Sequence, residues 1–128
     1  MIKSLEDYLE AIHRHIQEFG SARVVDIATV LSVKMPSVNN AVKELSKLGL
    51  VEYEKYHHLK MTPEGERVAK AIYKRHTLLK SFLVAIGVSE ATAEADACSM
   101  EHILSAETID RFKSHTQKIM RAAPKKKN

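Results

Sequence analysis

The sequence of 128 residues predicts a mainly α-helical protein, with three short helices and a two-stranded ribbon first and only helices after them. Three observations carry that prediction. Apolar residues recur at helical spacing over most of the chain, the period changes to two over residues 50–61, and glycine or proline stands near most of the changes. Three helices and a ribbon in this order make a winged helix-turn-helix, here followed by an all-helical domain.

Leu5, Tyr8, Leu9, Ile12, Ile16 and Phe19 follow the helical period, with Ser4 as N-cap and Gly20 as stop. A shorter helix runs through Val25, Ile27, Ala28 and Leu31. Ser32-Val33-Lys34-Met35 makes a turn, and Pro36 suits the first position of a third helix. Its inner side is Val38, Ala41, Val42, Leu45 and Leu48, and Gly49 stops it. Val51-Glu52-Tyr53-Glu54 and Leu59-Lys60-Met61 alternate as half-buried strands do, joined by a short turn at Lys55-Tyr56-His57-His58. Thr62-Pro63-Glu64 opens a long helix that Ala69, Ile72, Tyr73, Leu79, Phe82 and Leu83 carry to Gly87. Ser89 and Ser105 cap two more helices, the second bearing Ile109, Phe112 and Ile119. Two short helices cannot bury their apolar faces alone, so they are expected to pack on the long helix and on a second subunit.

With 45% hydrophobic and 28% charged residues the composition is that of an ordinary globular protein, and the absence of Trp leaves packing mainly to aliphatic side chains. No apolar stretch is long enough to span a membrane, and the acidic, amphipathic N-terminus lacks the order of a signal peptide. The one cysteine, Cys98, cannot form an internal disulfide, which suits a reducing cytoplasm. Residues 34–75 hold nine basic against five acidic side chains, and Arg121, Lys125, Lys126 and Lys127 add a basic end. A positive middle segment suits a polyanion, whereas residues 123–128, with Pro124 and a lysine run, read as a disordered solvated tail.

In a helix-turn-helix the N-terminal residues of the second helix face base edges in the major groove. Here they are Pro36, Ser37, Asn39 and Asn40, with Lys34 before them and Lys43 one turn on. Asn both donates and accepts at an adenine edge, and Ser and Lys serve bases or phosphates. Any lone Ser-x-Asn-Asn is also a plain solvated helix face; the ribbon and the basic segment turn the balance toward double-stranded DNA. Lys55, His57, His58 and Lys60 on the wing are candidates for the backbone or minor groove, although adjacent strand histidines point to opposite faces and suit solvent as well.

Cys98, Glu101 and His102 stand at i, i+3 and i+4, one face of a helix, and a thiolate, a carboxylate and an imidazole make a competent site for a first-row metal. Asp7 and Glu10 form a second carboxylate pair, and His76 projects from the long helix. Each also has a purely structural reading. Asp7 suits a capping box with Ser4, Cys98 a small buried hydrophobe, and Glu101 with His102 an exposed polar pair.

Ser4-Leu5-Glu6-Asp7-Tyr8-Leu9-Glu10-Ala11-Ile12 resembles the opening helix of the diphtheria toxin repressor / manganese transport regulator family. Tyr53-Glu54-Lys55-Tyr56, Arg75-His76, Phe82-Leu83 with Ile86-Gly87-Val88, Cys98-Ser99-Met100-Glu101-His102, and Ser105 through Ile109-Asp110-Arg111 match it in order, over roughly residues 4–120. The resemblance implies a homodimeric, metal-activated repressor of metal-uptake genes that binds a palindromic operator. It implies a winged-helix DNA-binding domain over 1–72 and a helical metal-binding and dimerisation domain over 73–122, without the SH3-like third domain of longer members. Asp7, Glu10, His76, Glu101 and His102 fit the manganese-type ligand set, whereas Cys98 stands where that type has a glutamate and the iron type a cysteine. The iron-type ancillary site would want a carboxylate at Lys80 and a histidine at Glu94, so it is expected to be broken. Oxygen ligands suit Mn²⁺ and a thiolate suits Fe²⁺, Co²⁺ or Zn²⁺, which leaves Mn²⁺ and Fe²⁺ balanced, at one or two ions per chain.

The expected mechanism is a metal that ties the first helix to the later ligands and so sets two recognition helices for successive major grooves, about 34 to 36 Å apart. The rival is a metal-independent winged-helix regulator governed by a small ligand or by Cys98 oxidation. An enzyme is not expected, because the sequence has no oxyanion-hole signature, no phosphate-binding glycine loop and no spare general base.

Overall fold

The computed structural model describes residues 4–122, and its contacts gather the chain into two compact units, the first ending at Ile72 and the second beginning at Tyr73. The basic tail expected over 123–128 lies outside the described residues.

The first unit opens with α1 (Leu5–Phe19). Ser4 Oγ accepts the Asp7 backbone N–H at 3.1 Å and Asp7 Oδ2 accepts that of Ser4 at 3.0 Å, a reciprocal capping box. Gly20, at φ 84, closes the other end in the left-handed conformation. Then come β1 (Ala22–Arg23), α2 (Val24–Leu31), α3 (Met35–Lys47), β2 (Val51–Tyr53) and β3 (His58–Met61). Leu9 and Ile12 of α1, Ile27 of α2, and Val38, Val42 and Leu45 of α3 share one core with Val51, Leu59 and Met61 of the strands. Ala69 and Ile72, from the first part of α4 (Pro63–Ala85), complete it.

Leu48, expected on the inner side of α3, is its C-cap and is exposed, and two further details of this unit depart from the sequence reading. Helix α3 starts one residue earlier, so Lys34 is the N-cap and Pro36 takes the second position, where a missing N–H still costs the helix nothing. The ribbon also has a third strand. β1 and β2 both pair antiparallel with β3, in the order β1-β3-β2. Two residues are too few to show an alternating pattern, and what seats β1 is register: Ala22 lies opposite Leu59, and both are buried.

The turn joining β2 to β3 is a single 3-10 turn over Lys55–His57 in which Tyr56 and His57 both sit at φ 61. Arg23 Nε donates to the Tyr56 carbonyl at 3.3 Å. At the start of α4, Thr62 Oγ1 accepts the Gly65 N–H at 2.9 Å and donates to the Gly49 carbonyl at 2.6 Å. The Thr62 N–H donates to the Leu50 carbonyl at 3.1 Å. Gly65 lies against Leu50 so closely that a Cβ there would meet the Leu50 carbonyl oxygen, with the carbonyl carbon at 2.8 Å.

In the second unit, the rest of α4 packs with α5 (Glu90–Met100) and α6 (Ala106–Ala122). Leu79, Leu83, Ala93 and Ala97 are buried together, and Phe82 stacks on Phe112 with ring centroids 4.4 Å apart. Gly87, at φ 105, follows α4, and Ser105 Oγ accepts the Thr108 N–H at 3.2 Å to cap α6. Ser89 sits at the N-cap of α5 but its side chain makes no capping bond. Among the described residues no helix is long and apolar enough to cross a membrane.

Candidate functional site

Helix α3 turns Val38, Ala41, Val42 and Leu45 inward and leaves Pro36, Ser37, Asn40 and Lys43 exposed, with Lys34 exposed at its N-cap. That is the disposition a groove-reading helix needs, since the residues facing a groove must not be required by the core. Asn39 is half-buried, and its Oδ1 accepts the Tyr53 phenol at 3.2 Å. Partial desolvation raises the pKa of the Tyr53 phenol from its ordinary value. Lys55 and His57 are exposed at the turn of the wing. Lys60 is exposed on β3, 3.8 Å from Glu54, and His58 is half-buried opposite Arg23. All ten candidate DNA residues therefore belong to the first unit, on α3 or the wing. Tyr53 is a residue the sequence reading assigned only to a strand.

In the second unit the second cluster is built by small side chains. Ala93 and Ala97 are fully buried, which lets α5 lie close against Leu79 and Leu83 of α4. The neighbouring stripe of α5, with Glu94, Cys98 and Glu101 at i, i+4 and i+7, then meets His76 and Lys80, one turn apart on α4. Ligand atoms of His76, Cys98 and Glu101 lie within 4.8 Å of one another. His76 Nδ1 is 3.5 Å from Glu101 Oε2, and its Nε2 is 2.9 Å from Glu94 Oε2. Both contacts are short, yet neither is aligned as a hydrogen bond and the ring is only 2% exposed. The His76 ring first, and then Lys80 at 3.3 Å, hold the Glu94 carboxyl below the usual carboxylate range.

The sequence reading put Cys98, Glu101 and His102 on one helix, and here the structure differs. Helix α5 ends at Met100, Glu101 is its C-cap, and His102 lies in the turn beyond. Glu101 keeps helical register because its N–H reaches the Ala97 carbonyl at 3.1 Å. The N–H groups of Ile103 and Leu104 both return to the Met100 carbonyl and close the chain into a turn. His102 Nε2 is still 3.4 Å from Glu101 Oε1.

Asp7 and Glu10 belong to the first unit. Asp7 is held in its capping box. Glu10 is 7% exposed; Arg14 Nη1 lies 3.7 Å from its Oε1, and its Oε2 makes no hydrogen bond. A buried carboxylate oxygen without a donor is costly, and it suits a cation. Thiol, imidazole and carboxylate together fit a first-row divalent ion, and His76 offers buried ring nitrogens that no aligned hydrogen bond uses.

Residues 1–59 match the family model of the iron dependent repressor N-terminal DNA binding domain, and residues 62–127 match the metal binding and dimerisation domain of the same repressors. The chain belongs to the iron-dependent repressor family. This is the group that the opening helix and the Cys98–His102 segment resemble, and its two matched domains are those of a transcriptional repressor rather than an enzyme. The chain is 46% identical over 109 residues to the HTH-type transcriptional regulator MntR of Lysinibacillus sphaericus, covering 85% of this chain and 78% of that one. It is 41% identical over 114 residues to the transcriptional regulator MntR of Escherichia coli O6:H1, covering 89% and 74%. Among solved structures it is similar to the manganese regulator SloR, with a TM-score of 0.80 at 26% identity over 91% of this chain. The family member described here spans 55% of that longer chain.

Proposed function

We propose that this chain is a metal-activated transcriptional repressor that binds a palindromic double-stranded operator as a homodimer, acts in the cytoplasm and controls metal-uptake genes. The observation that carries the reading is the meeting of the buried His76 imidazole and Glu101 carboxylate with the half-buried Cys98 thiol, within the domain that follows a DNA-binding domain. His102, and Asp7 with Glu10 on α1, complete the proposed ligand set. The ion is Mn²⁺ or Fe²⁺. Three carboxylates and the likeness to a manganese regulator favour Mn²⁺, and the Cys98 thiolate favours Fe²⁺. When bound, the ion supplies positive charge that neutralises these carboxylates and holds them in one arrangement.

Lys34, Pro36, Ser37, Asn39, Asn40 and Lys43 then meet the major groove, and Lys55, His57, His58 and Lys60 meet the flanking backbone. Each subunit places one such set on one half-site. Metal raises affinity because only an ordered dimer fits both half-sites, and apparent affinity scales with the ordered fraction.

The test is operator binding by chelator-treated protein, followed by fluorescence anisotropy during separate titrations with Mn²⁺, anaerobic Fe²⁺ and Zn²⁺. One ion is expected to raise affinity at least ten-fold, on the order of 1.4 kcal/mol of coupling, with the gain lost in His76→Ala. Equal affinity with and without chelator refutes the switch.

A further inference from the structure

On the recognition helix, one of the two asparagines is hydrogen-bonded to the wing. Tyr53 Oη lies 3.2 Å from Asn39 Oδ1, an interaction between the turn end of β2 and the first turns of α3. Its neighbour Asn40 is exposed and has no such partner in the ribbon. The two amides are therefore unequal, although the sequence presents them as a pair.

We propose that Tyr53 is a positioning residue that fixes the amide of Asn39 for DNA recognition, with Oδ1 drawn to the ribbon and Nδ2 presented to the groove, so that Asn39 reads a hydrogen-bond acceptor. An unrestrained Asn reads adenine by donating to N7 while accepting from the N6 amine, which needs both ends of the amide outward. Asn39 has one end committed. What remains is a pair of N–H donors, complementary to guanine O6 or N7 or to thymine O4 and not to the adenine donor–acceptor pair. Asn40 keeps both ends and remains the adenine reader.

Three features make the Tyr53 contact a fixed one. The phenol donates, as a tyrosine hydroxyl does near neutral pH, and Asn39 Oδ1 accepts. The ring is carried at the end of a strand whose register is set by Tyr53 opposite Leu59 and Val51 opposite Met61, and beyond it the Glu54 N–H donates to the His58 carbonyl at 2.7 Å. Val51, Leu59 and Met61 are all buried in the same core as Val38, the residue before Asn39. Strand and helix thus share a rigid foundation, and the bond between Tyr53 and Asn39 spans the short distance above it.

The inference rests on the proposal that α3 reads DNA, and its experiment keeps the two separable. Metal-loaded full-length protein is used to select from a library of duplexes carrying a random central segment, in parallel for wild type, Asn39→Ala, Tyr53→Phe and the double variant. Asn39→Ala marks the base position that Asn39 reads, as the position whose preference relaxes. At that position wild type is expected to disfavour adenine, by about five-fold for a single hydrogen bond. Tyr53→Phe keeps the ring and removes the donor, so the amide turns freely and adenine recovers to near parity. In the Asn39→Ala background, Tyr53→Phe is expected to change nothing more. Circular dichroism melts of the free proteins check that Tyr53→Phe leaves the fold intact.

Selection of adenine by wild type at the marked position overturns the inference, as does an unchanged motif in Tyr53→Phe. A motif that Asn39→Ala does not relax anywhere overturns it too, while leaving the DNA-binding reading in place. Failure of every protein, wild type included, to enrich any sequence overturns the DNA-binding reading itself.

Discussion

Replacing Gly65 by Ala puts a methyl group where the chain has no room for one. Its Cβ would lie 2.8 Å from the carbonyl carbon of Leu50 and 3.2 Å from its Cα, and closer still to the carbonyl oxygen. These are backbone atoms, so no rotamer change relieves the clash and the start of α4 must move off Leu50 by on the order of 1 Å. Such overpacking costs about 1–3 kcal/mol. The same movement stretches the Thr62 N–H bond to Leu50 and the Thr62 hydroxyl bond to Gly49, at 3.1 and 2.6 Å, worth about 1 kcal/mol each. Alanine returns up to about 1 kcal/mol in helix propensity. The net loss is about 2–4 kcal/mol, which lowers the melting temperature of a domain this size by roughly 10 °C or more. A thermal melt followed at 222 nm reads it. Gly20→Ala is the control: it is left-handed at φ 84 but meets nothing within 4 Å, so it costs only the strain of about 1 kcal/mol. A Gly65→Ala protein that melts within about 2 °C of wild type, or above Gly20→Ala, refutes the packing argument.

Three further outcomes follow from the same geometry. Lys43→Ala is expected to weaken operator binding evenly across sequences and to lower the log–log salt slope by about one per subunit, measured by anisotropy at several salt concentrations; an unchanged slope removes Lys43 from the phosphate contacts. Cys98→Ser takes away the one soft ligand and is expected to shift the Mn²⁺-to-Zn²⁺ affinity ratio toward Mn²⁺ by on the order of ten-fold, read by competition with a fluorescent chelator, and an unmoved ratio means that the thiol does not ligate. Glu94→Ala removes the carboxylate 2.9 Å from His76 Nε2 and is expected to cost about ten-fold in metal affinity through loss of ring orientation, with Glu94→Gln much milder; equal affinities in all three proteins would show that Glu94 does not orient the ring.

The order of elements was legible because nearly every helix here buries a continuous apolar stripe. Leu9 and Ile12, or Val38, Val42 and Leu45, can be identified from spacing alone. What escaped was set by contacts distant in sequence. β1 exists because Ala22 is paired with Leu59, and two residues carry no period of their own. Gly65 reads as a weak point in a helix until Leu50, in a different element, is seen to press on it. The end of α5 at Met100 was hidden for the opposite reason, since Glu101 retains helical dihedrals and the spacing through His102 still looks helical. For the cluster of His76, Cys98 and Glu101, residue type was visible in the sequence but convergence was not. Convergence depends on Ala93 and Ala97 being small enough to bring α5 against α4, and alanines otherwise read only as good helix formers. The tie between Tyr53 and Asn39 is of the same kind, for no pattern within either element announces it.

The turn of the wing is made by Tyr56 and His57, both left-handed, where two glycines would adopt the same path without steric cost. The chain thereby carries about 1 kcal/mol of strain at each residue, restrained by the bond from Arg23 to the Tyr56 carbonyl, and keeps an aromatic ring 79% exposed at the tip. Directed evolution for heat resistance alone would be drawn to this turn early. Glycine or asparagine at either position relaxes the backbone, and loss of the exposed ring offends no core. The winners of such a screen would be sturdier proteins with a blunted wing, so a campaign to harden this fold needs DNA retention as a second selection from its first round.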